Sequence, residues 1–126
     1  MLGAHEIMPM TATTQPERAR AFYGDMLGLM FLEDTPFALV FEGGGSTVRV
    51  QKVQSFTPSG FTSLGWKVPD IAATAQALAE KGVECERFDG LDQDDFGIWN
   101  SPSGARVAWF KDPDGNILSL TQFPAA

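Results

Sequence analysis

Hydrophobic residues follow a strand-like pattern over much of the chain, but a helical period appears after Gln15. In QPERARAFYGDMLGL the spacing predicts an amphipathic helix whose apolar face is formed by Ala19, Phe22, Tyr23 and Met26. Thr14 is the predicted N-cap of this helix, and Gly28 is its predicted end. The surrounding segments EIMPMTA, LMFLE, FALVF and TVRVQKV are short and rich in β-forming residues. The first half therefore predicts the element order βαβββ.

The second half repeats this order of elements. SLGWKV predicts a strand, and Asp70 is the predicted N-cap of a helix that ends at Gly82. The predicted buried face of this helix consists of Ile71, Ala75, Leu78 and Ala79. The strands predicted after it are VECERF, FGIWNS, ARVAWFK and NILSLTQF. A repeated pattern constrains the fold more strongly than any single element does.

The repeat predicts an α+β fold in which two tandem βαβββ modules form a curved mixed sheet around a cleft. Module 1 spans about residues 5–54, the joint QSFTPSG about residues 55–61, and module 2 about residues 62–123. Because the chain has 126 residues, we expect one domain, residues 1–126.

Charge and composition exclude several classes of partner. The formal net charge is −7, and nucleic-acid binding requires clustered Lys and Arg, so we expect no nucleic-acid partner. The longest apolar runs, such as FALVF, are too short to span a bilayer, so we expect no membrane association. The single cysteine, Cys85, excludes an intrachain disulfide, and the N-terminus has no signal-peptide pattern. We therefore expect a cytoplasmic protein.

Three stretches of the chain, ERARAFYGDMLGL, VPDIAATAQALAEKGVE and KDPDGNILSL, resemble the vicinal oxygen chelate superfamily. This superfamily contains glyoxalase I, the bleomycin-resistance proteins and the extradiol dioxygenases. The resemblance covers nearly the whole chain and agrees with the predicted fold. Because the superfamily hosts several chemistries as well as pure binding, it does not by itself assign a function.

Enzymes of this superfamily usually hold a divalent metal through His and Glu side chains, one from each of four strands. The resemblance assigns those positions to Met8, Ser63 and Ser119, with either Arg49 or Gln51 as the remaining one. Thioether and hydroxyl groups are poor ligands for the divalent metals of this family. The only histidine, His5, lies three residues before Met8, so strand alternation directs it to the opposite face. We therefore expect no metal and no cofactor.

Strand alternation adds further residues to these positions and so predicts a cleft lining. Leu64, Trp66 and Val68 alternate with the lining residues of their strand and therefore face the helix. Trp99 is added because it ends a strand beside a loop. Trp109 and Phe110 are consecutive, so only one of them can face inward. The predicted ligand-binding residues are Met8, Met10, Arg49, Gln51, Ser63, Lys67, Trp99, Ser119 and Thr121.

Three other features have simpler interpretations. DGLDQDDFG lacks the ligand spacing of a calcium loop, so we interpret it as a solvated acidic loop. EGGGS is followed by neither a lysine nor a helix, and it predicts a hairpin turn. Cys85 has no histidine nearby in the sequence and is predicted to be a buried or half-buried strand residue.

These features predict a glyoxalase/bleomycin-resistance-like protein that binds a small molecule, a drug or a metabolite, in a metal-free cleft. The alternative is a metal-dependent lyase, isomerase or dioxygenase of the glyoxalase type that uses ligands other than those of the family. A third class, metal-free acid–base catalysis through Lys67 or Glu6, lacks a visible acid–base pair. Whether the protein is an enzyme stays open at this point, and no catalytic residue is assigned. The resemblance further implies a homodimer.

Overall fold

The computed structural model describes residues 1–125. The chain forms two compact units, Met1–Thr57 and Pro58–Ala126. Each unit contains a four-stranded mixed sheet that stays open. The α+β class and the repeated module are therefore confirmed, with a separate sheet for each module.

Unit 1 begins with a short 3₁₀ turn at Leu2–Ala4. Its sheet has the order β1-β4-β3-β2, in which β1 and β4 are parallel and the other pairs are antiparallel. The strands are β1 (Met10–Thr13), β2 (Met30–Asp34), β3 (Ala38–Gly43) and β4 (Ser46–Lys52). The helix between β1 and β2 consists of α1 (Pro16–Arg20) and a π-helical continuation (Ala21–Met26).

The predicted helical face of unit 1 is largely confirmed. Ala19, Phe22 and Tyr23 are buried, and the Tyr23 ring lies 5.8 Å from the ring of Phe41 on β3. The N-cap differs from the prediction, because Gln15 holds that position and its side chain forms no capping hydrogen bond. The helical segment ends before Gly28, whose φ of 81° suits a glycine.

Unit 2 has the same strand order, β5-β8-β7-β6, again with one parallel pair, β5 and β8. Helix α2 (Ile71–Glu80) begins at Asp70, whose carboxylate accepts a hydrogen bond from the Ala73 N–H, as predicted. Ile71, Ala75 and Leu78 are buried, whereas Ala79 is exposed. The strands are β5 (Thr62–Lys67), β6 (Trp99–Asn100), β7 (Arg106–Lys111) and β8 (Ile117–Gln122).

The predicted strand VECERF is wrong, because residues 83–88 form no strand. This segment approaches β7 through one backbone hydrogen bond, from the Glu86 N–H to the Trp109 carbonyl, with a length of 2.6 Å. FGIWNS is also shorter than predicted, since only Trp99 and Asn100 pair with β7. Side chains such as that of Gln93 satisfy backbone groups in this region in place of a strand ladder.

The DPDGN turn joins β7 to β8 and is held by the buried carboxylate of Asp112. One oxygen of that carboxylate accepts hydrogen bonds from the N–H groups of Asp114 and Asn116, at 3.0 and 2.9 Å. The other accepts a bond of 2.8 Å from the side-chain amide of Asn116. The turn therefore fixes the register of the two central strands of unit 2. Among residues 1–125, no helix has the length and apolar character needed to cross a membrane.

Candidate functional site

One face of the unit 2 sheet carries several of the polar residues predicted for the site. In the β5–β8 ladder, Gly65 pairs with Ser119 and Lys67 pairs with Thr121. Residues paired across a ladder project to the same face, as do alternate residues along a strand. Lys67, Ser119 and Thr121 therefore lie on one face, which we call the open face. The opposite face of the sheet packs against α2.

Aromatic rings occupy the β6–β7 side of the open face. Trp109 pairs with Ser119, and Trp99 pairs with Val107, which is two residues from Trp109, so both tryptophans share this face. Their ring centroids are 6.1 Å apart, with a tilt of 36° between the rings. The Phe88 ring stands edge-on to Trp109 at a centroid distance of 5.5 Å. We call these three rings, Phe88, Trp99 and Trp109, the aromatic array.

The third tryptophan, Trp66, lies on the α2 side of the same sheet. It pairs with Leu120 and stacks on Phe110 at a centroid distance of 6.1 Å. Phe110 is buried, so of the consecutive pair Trp109 and Phe110 it is Trp109 that reaches the open face. This arrangement agrees with the expectation that Trp66 faces the helix.

The polar part of the open face is built around Ser119 and Lys67. Ser119 is 7% exposed, and a Cβ at Gly65 would lie 2.9 Å from its Oγ, so the glycine leaves room for the hydroxyl. The Lys67 ammonium lies 5.9 Å from the centroid of the Phe123 ring. A pocket of about 270 Å³ lies at the ends of β5 and β8 and is lined by Lys67, Val68, Pro69, Gln122 and Phe123. The face thus combines aromatic rings, a hydroxyl and a cation, which is a usual composition for a small-molecule site.

The predicted residues of unit 1 also share a sheet face. In the β1–β4 ladder Met10 pairs with Arg49 and Ala12 with Gln51, so Met10, Arg49 and Gln51 project to the same side. Both candidates for the second metal position, Arg49 and Gln51, therefore lie on this face. Arg49 is half-buried, while Met10 and Gln51 are exposed.

Two predicted residues lie where strand alternation does not hold. Strand β1 begins at Met10, so the parity argument does not extend to Met8, which is 52% exposed. Ser63 lies at the register irregularity between Thr62 and Leu64, and its hydroxyl donates a 3.3 Å hydrogen bond to the Ile117 carbonyl. Both remain predictions as ligand contacts.

The donor groups at the positions implied by the family do not fit its divalent metal. They are the thioether of Met8, the hydroxyls of Ser63 and Ser119, and the guanidinium of Arg49 or the amide of Gln51. Iron, nickel, manganese and zinc prefer imidazole and carboxylate ligands, and a guanidinium repels a cation. Within residues 1–125, no three side chains of His, Cys, Asp or Glu group together as a metal site. We therefore derive no chemistry through a metal.

Cys85 lies beside the acidic loop of unit 2 rather than on the open face. Burial of the thiol raises the pKa of Cys85, and the negative charges of Asp94 and Glu86 raise it further, whereas Arg87 lowers it. A thiol with a raised pKa is mostly protonated at neutral pH and is a poor nucleophile. The geometry thus agrees with a structural role for Cys85.

Two members of the aromatic array were not predicted as site residues. Trp109 was recognisable in principle, because the DPDGN turn sets the β7–β8 register and so pairs Trp109 with Ser119. Phe88 was not, since it lies in a segment whose sequence resembles a strand. Its place depends on a hydrogen bond that the Phe88 N–H donates to the side-chain oxygen of Gln93, a residue five positions further along the chain.

The sequence matches the family described as "Glyoxalase/Bleomycin resistance protein/Dioxygenase superfamily" over residues 7–120. It is 30% identical over 115 residues to YraH, an uncharacterized protein of Bacillus subtilis (strain 168), and the match covers 79% of this chain and 83% of YraH. A bleomycin resistance determinant encoded on the transposon Tn5 has a similar structure, with a TM-score of 0.77 at 18% identity over 96% of this chain and 99% of its own.

TnmS3, an antibiotic binding protein from Streptomyces sp. CB03234, is similar with a TM-score of 0.69 at 25% identity, over 95% of this chain and 96% of its own. The likeness to the Tn5 protein concerns the fold.

Proposed function

Because the chain belongs to the glyoxalase/bleomycin resistance protein/dioxygenase superfamily, we propose that it binds a small aromatic molecule, a drug or a metabolite, without a metal. The observation that carries this proposal is the aromatic array on the open face, which also carries Ser119 and Lys67. The name of TnmS3, an antibiotic binding protein, supports binding as the function.

Two physical features favour a flat, cationic ligand. Tryptophan rings stack on planar aromatic groups and attract cations to their faces. The chain carries a formal net charge of −7, which favours the approach of a cation. Ser119 and Thr121 supply hydroxyls that orient polar groups of the ligand, and Lys67 binds an acidic or carbonyl group at the edge of the site. For unit 1, taken by itself, we propose that Met10, Arg49 and Gln51 are ligand contacts on its own sheet face.

The test is a binding titration with proflavine, a flat tricyclic cation, followed by calorimetry. We expect Trp99→Ala to weaken binding by about tenfold, since the loss of one stacked ring costs on the order of 1–1.5 kcal/mol. The matched control is Trp66→Phe, which alters a tryptophan on the α2 side and is expected to change the affinity by less than about twofold. Equal losses in the two variants would contradict binding at the open face.

Elemental analysis, combined with binding measurements before and after EDTA treatment, tests the metal-free part of the proposal. We expect protein purified without chelator to bind proflavine with the same affinity before and after treatment with EDTA. A stoichiometric divalent metal whose removal abolishes binding would instead support the alternative, an enzyme of the glyoxalase or dioxygenase kind with other ligands.

We further propose a homodimer in the cytoplasm. Unit 1 exposes the apolar residues Met30, Leu32 and Phe37 on and beside its edge strand β2, and such residues are typical of a surface covered in an assembly. Light scattering coupled to size-exclusion chromatography is expected to give twice the mass of one chain. A single-chain mass would contradict the dimer. The free thiol of Cys85 suits a reducing compartment.

A further inference from the structure

A single side chain holds the loop that carries Phe88. The side-chain oxygen of Gln93, Oε1, accepts a 2.8 Å hydrogen bond from the Phe88 N–H. The side-chain nitrogen of Gln93, Nε2, donates hydrogen bonds to the backbone carbonyls of Glu86 and Gly97, at 2.9 and 2.8 Å. The backbone of Gln93 also forms an antiparallel bridge with Trp99. Gln93 thus connects the segment before Phe88 to the segment that leads into Trp99.

A second set of contacts reinforces the same loop. The Arg87 guanidinium donates hydrogen bonds to the carbonyls of Asp94 and Gln93, at 2.5 and 3.4 Å. The Glu86 N–H bonds to the Trp109 carbonyl, and the Lys111 ammonium lies 3.4 Å from the Glu86 carboxylate. The loop is therefore attached both to itself and to β7, the strand that carries Trp109.

The consequence concerns the ring of Phe88, which is 37% exposed and has no strand ladder to hold its backbone. Its edge-on contact with Trp109 therefore depends on the hydrogen bonds that fix the Phe88 backbone. A ring held in place before the ligand arrives loses less conformational entropy on binding. Gln93 contributes this order without contacting the open face through its own side-chain amide, since both ends of that amide bind backbone groups.

We propose that Gln93 is a positioning residue, which holds Phe88 edge-on to Trp109 so that the aromatic array selects flat aromatic ligands over aliphatic ones. This inference rests on the proposed function, because it assigns a specificity determinant to the same site. It identifies the preferred ligand by shape, as a planar ring system that fits against Trp109 with Phe88 at its edge.

The experiment compares two monocations of different shape, the flat proflavine and the aliphatic 1-adamantylamine, by calorimetry. We expect the wild-type protein to prefer proflavine, and Gln93→Ala to weaken proflavine binding by about three- to tenfold. Binding of 1-adamantylamine is expected to change by less than about twofold, because it makes no ring–ring contact. The control is Gln76→Ala, at an exposed glutamine of α2, which is expected to leave both affinities unchanged.

A double-mutant cycle tests whether Gln93 acts through Phe88. Phe88→Ala alone is expected to lower the preference for proflavine as Gln93→Ala does. The double variant is expected to match Phe88→Ala within about twofold, since the two residues serve one contact. Alkylation of the single cysteine, Cys85, monitors the loop independently, because a Cβ at Gly97 would lie only 2.7 Å from the Cys85 Cβ. We expect faster alkylation in Gln93→Ala.

The outcomes separate this inference from the proposed function. If Gln93→Ala frees the loop but keeps the wild-type preference for proflavine, the inference is overturned while binding at the array stands. The same holds if Gln93→Ala weakens proflavine equally in the Phe88→Ala background. If wild-type protein binds neither cation, or Trp99→Ala binds proflavine as tightly as wild type, the proposed function fails and this inference fails with it.

Discussion

At the scale of single residues, unit 2 uses side chains where a longer strand would use backbone pairing. The Asp94 carboxylate accepts hydrogen bonds from the N–H groups of Phe96 and Ile98, both 2.9 Å long. Gln93 does the same for Phe88. These bonds satisfy polar backbone groups that would otherwise be costly to remove from water. They also bring two carboxylates, Asp94 and Glu86, near the thiol of Cys85.

Burial of the Cys85 thiol, together with the charges of Asp94 and Glu86, raises its pKa, so it is expected to titrate at a higher pH than a free cysteine, whose pKa is about 8.5. The rate of iodoacetamide alkylation against pH measures this, because only the thiolate reacts. Asp94→Asn is expected to lower the midpoint by removing a negative charge while it keeps an acceptor oxygen. The control, Asp92→Asn, changes an exposed residue of the same loop. A midpoint below that of a free thiol would contradict the assignment.

The raised pKa of Cys85 also decides how stability changes with pH. Because folding raises the pKa of Cys85, the thiol contributes stability that is fully present below the unfolded pKa, about 8.5. That contribution is lost as the pH rises through the folded pKa. In urea titrations, the free energy of unfolding of the wild type relative to that of Cys85→Ser is expected to fall as the pH rises above about 8.5.

Gly97 is required by both its backbone and its surroundings. Its φ is 86°, and a Cβ would approach the Cys85 Cβ to 2.7 Å. We expect Gly97→Ala to lower the free energy of unfolding by about 1–3 kcal/mol, measured by urea denaturation. In the control, Gly60→Ala, the added Cβ meets nothing within 4 Å, so the change is expected to stay within about 0.5 kcal/mol. Equal effects would show that neither the positive φ nor the close approach to Cys85 requires a glycine at residue 97.

At the scale of elements, the sequence pattern predicted the helices and the longer strands well. Alternation and turn residues identified β3, β4, β7 and β8, because these strands bury one side chain of every two or lie at the sheet centre. The pattern was wrong for VECERF, where Val83 is buried and the following residues alternate as in a strand. Local alternation does not reveal that Gln93 and Arg87 occupy the backbone groups a ladder would need.

The β7–β8 turn carries the corresponding prediction at this scale. Asp112→Ala removes the acceptor for three hydrogen bonds in a buried turn, so the free energy of unfolding is expected to fall by about 2–4 kcal/mol. Asp89→Ala, at an exposed position of the acidic loop, is the control and is expected to change it by less than about 0.5 kcal/mol. A loss of similar size in both variants would mean that the carboxylate does not hold the turn.

At the scale of the whole molecule, the excess of acidic residues decides which ligands approach readily. Sixteen acidic and nine basic residues give the chain a formal charge of −7. Such a field attracts cations over distances comparable to the Debye length, which is about 10 Å at 0.1 M salt. The charge alone does not create a site, because the net charge of the chain is the same whatever its fold.

The salt dependence of the affinity therefore separates the electrostatic contribution to binding from the stacking contribution. The affinity for the cation proflavine is expected to fall severalfold between about 0.02 M and about 0.2 M NaCl, since screening weakens its attraction to the acidic chain. The affinity for neutral acridine at pH 8 is expected to stay nearly constant, because stacking on the aromatic array is not screened. Calorimetry at both salt concentrations measures the difference. A parallel loss for both probes would contradict a stacked binding mode.

The sequence by itself determined the α+β class, the repeated module and the family, because these follow from periodicity, turn residues and motifs that act over a few neighbours. The residues that the family resemblance assigns to the metal positions, Met8, Ser63 and Ser119, carry donor groups unsuited to that family's metal. Only the tertiary structure decided that Lys67, Trp99 and Ser119 share one face, and that Phe88 joins them.

The physical reason is the range of the interactions. Side-chain direction within a strand follows from alternation, but a face is assembled from strands far apart in sequence, and their register sets which residues meet. Gln93 adds a case that alternation cannot represent, since one side chain replaces several backbone partners. The position of Phe88 therefore depends on a contact that no local pattern encodes.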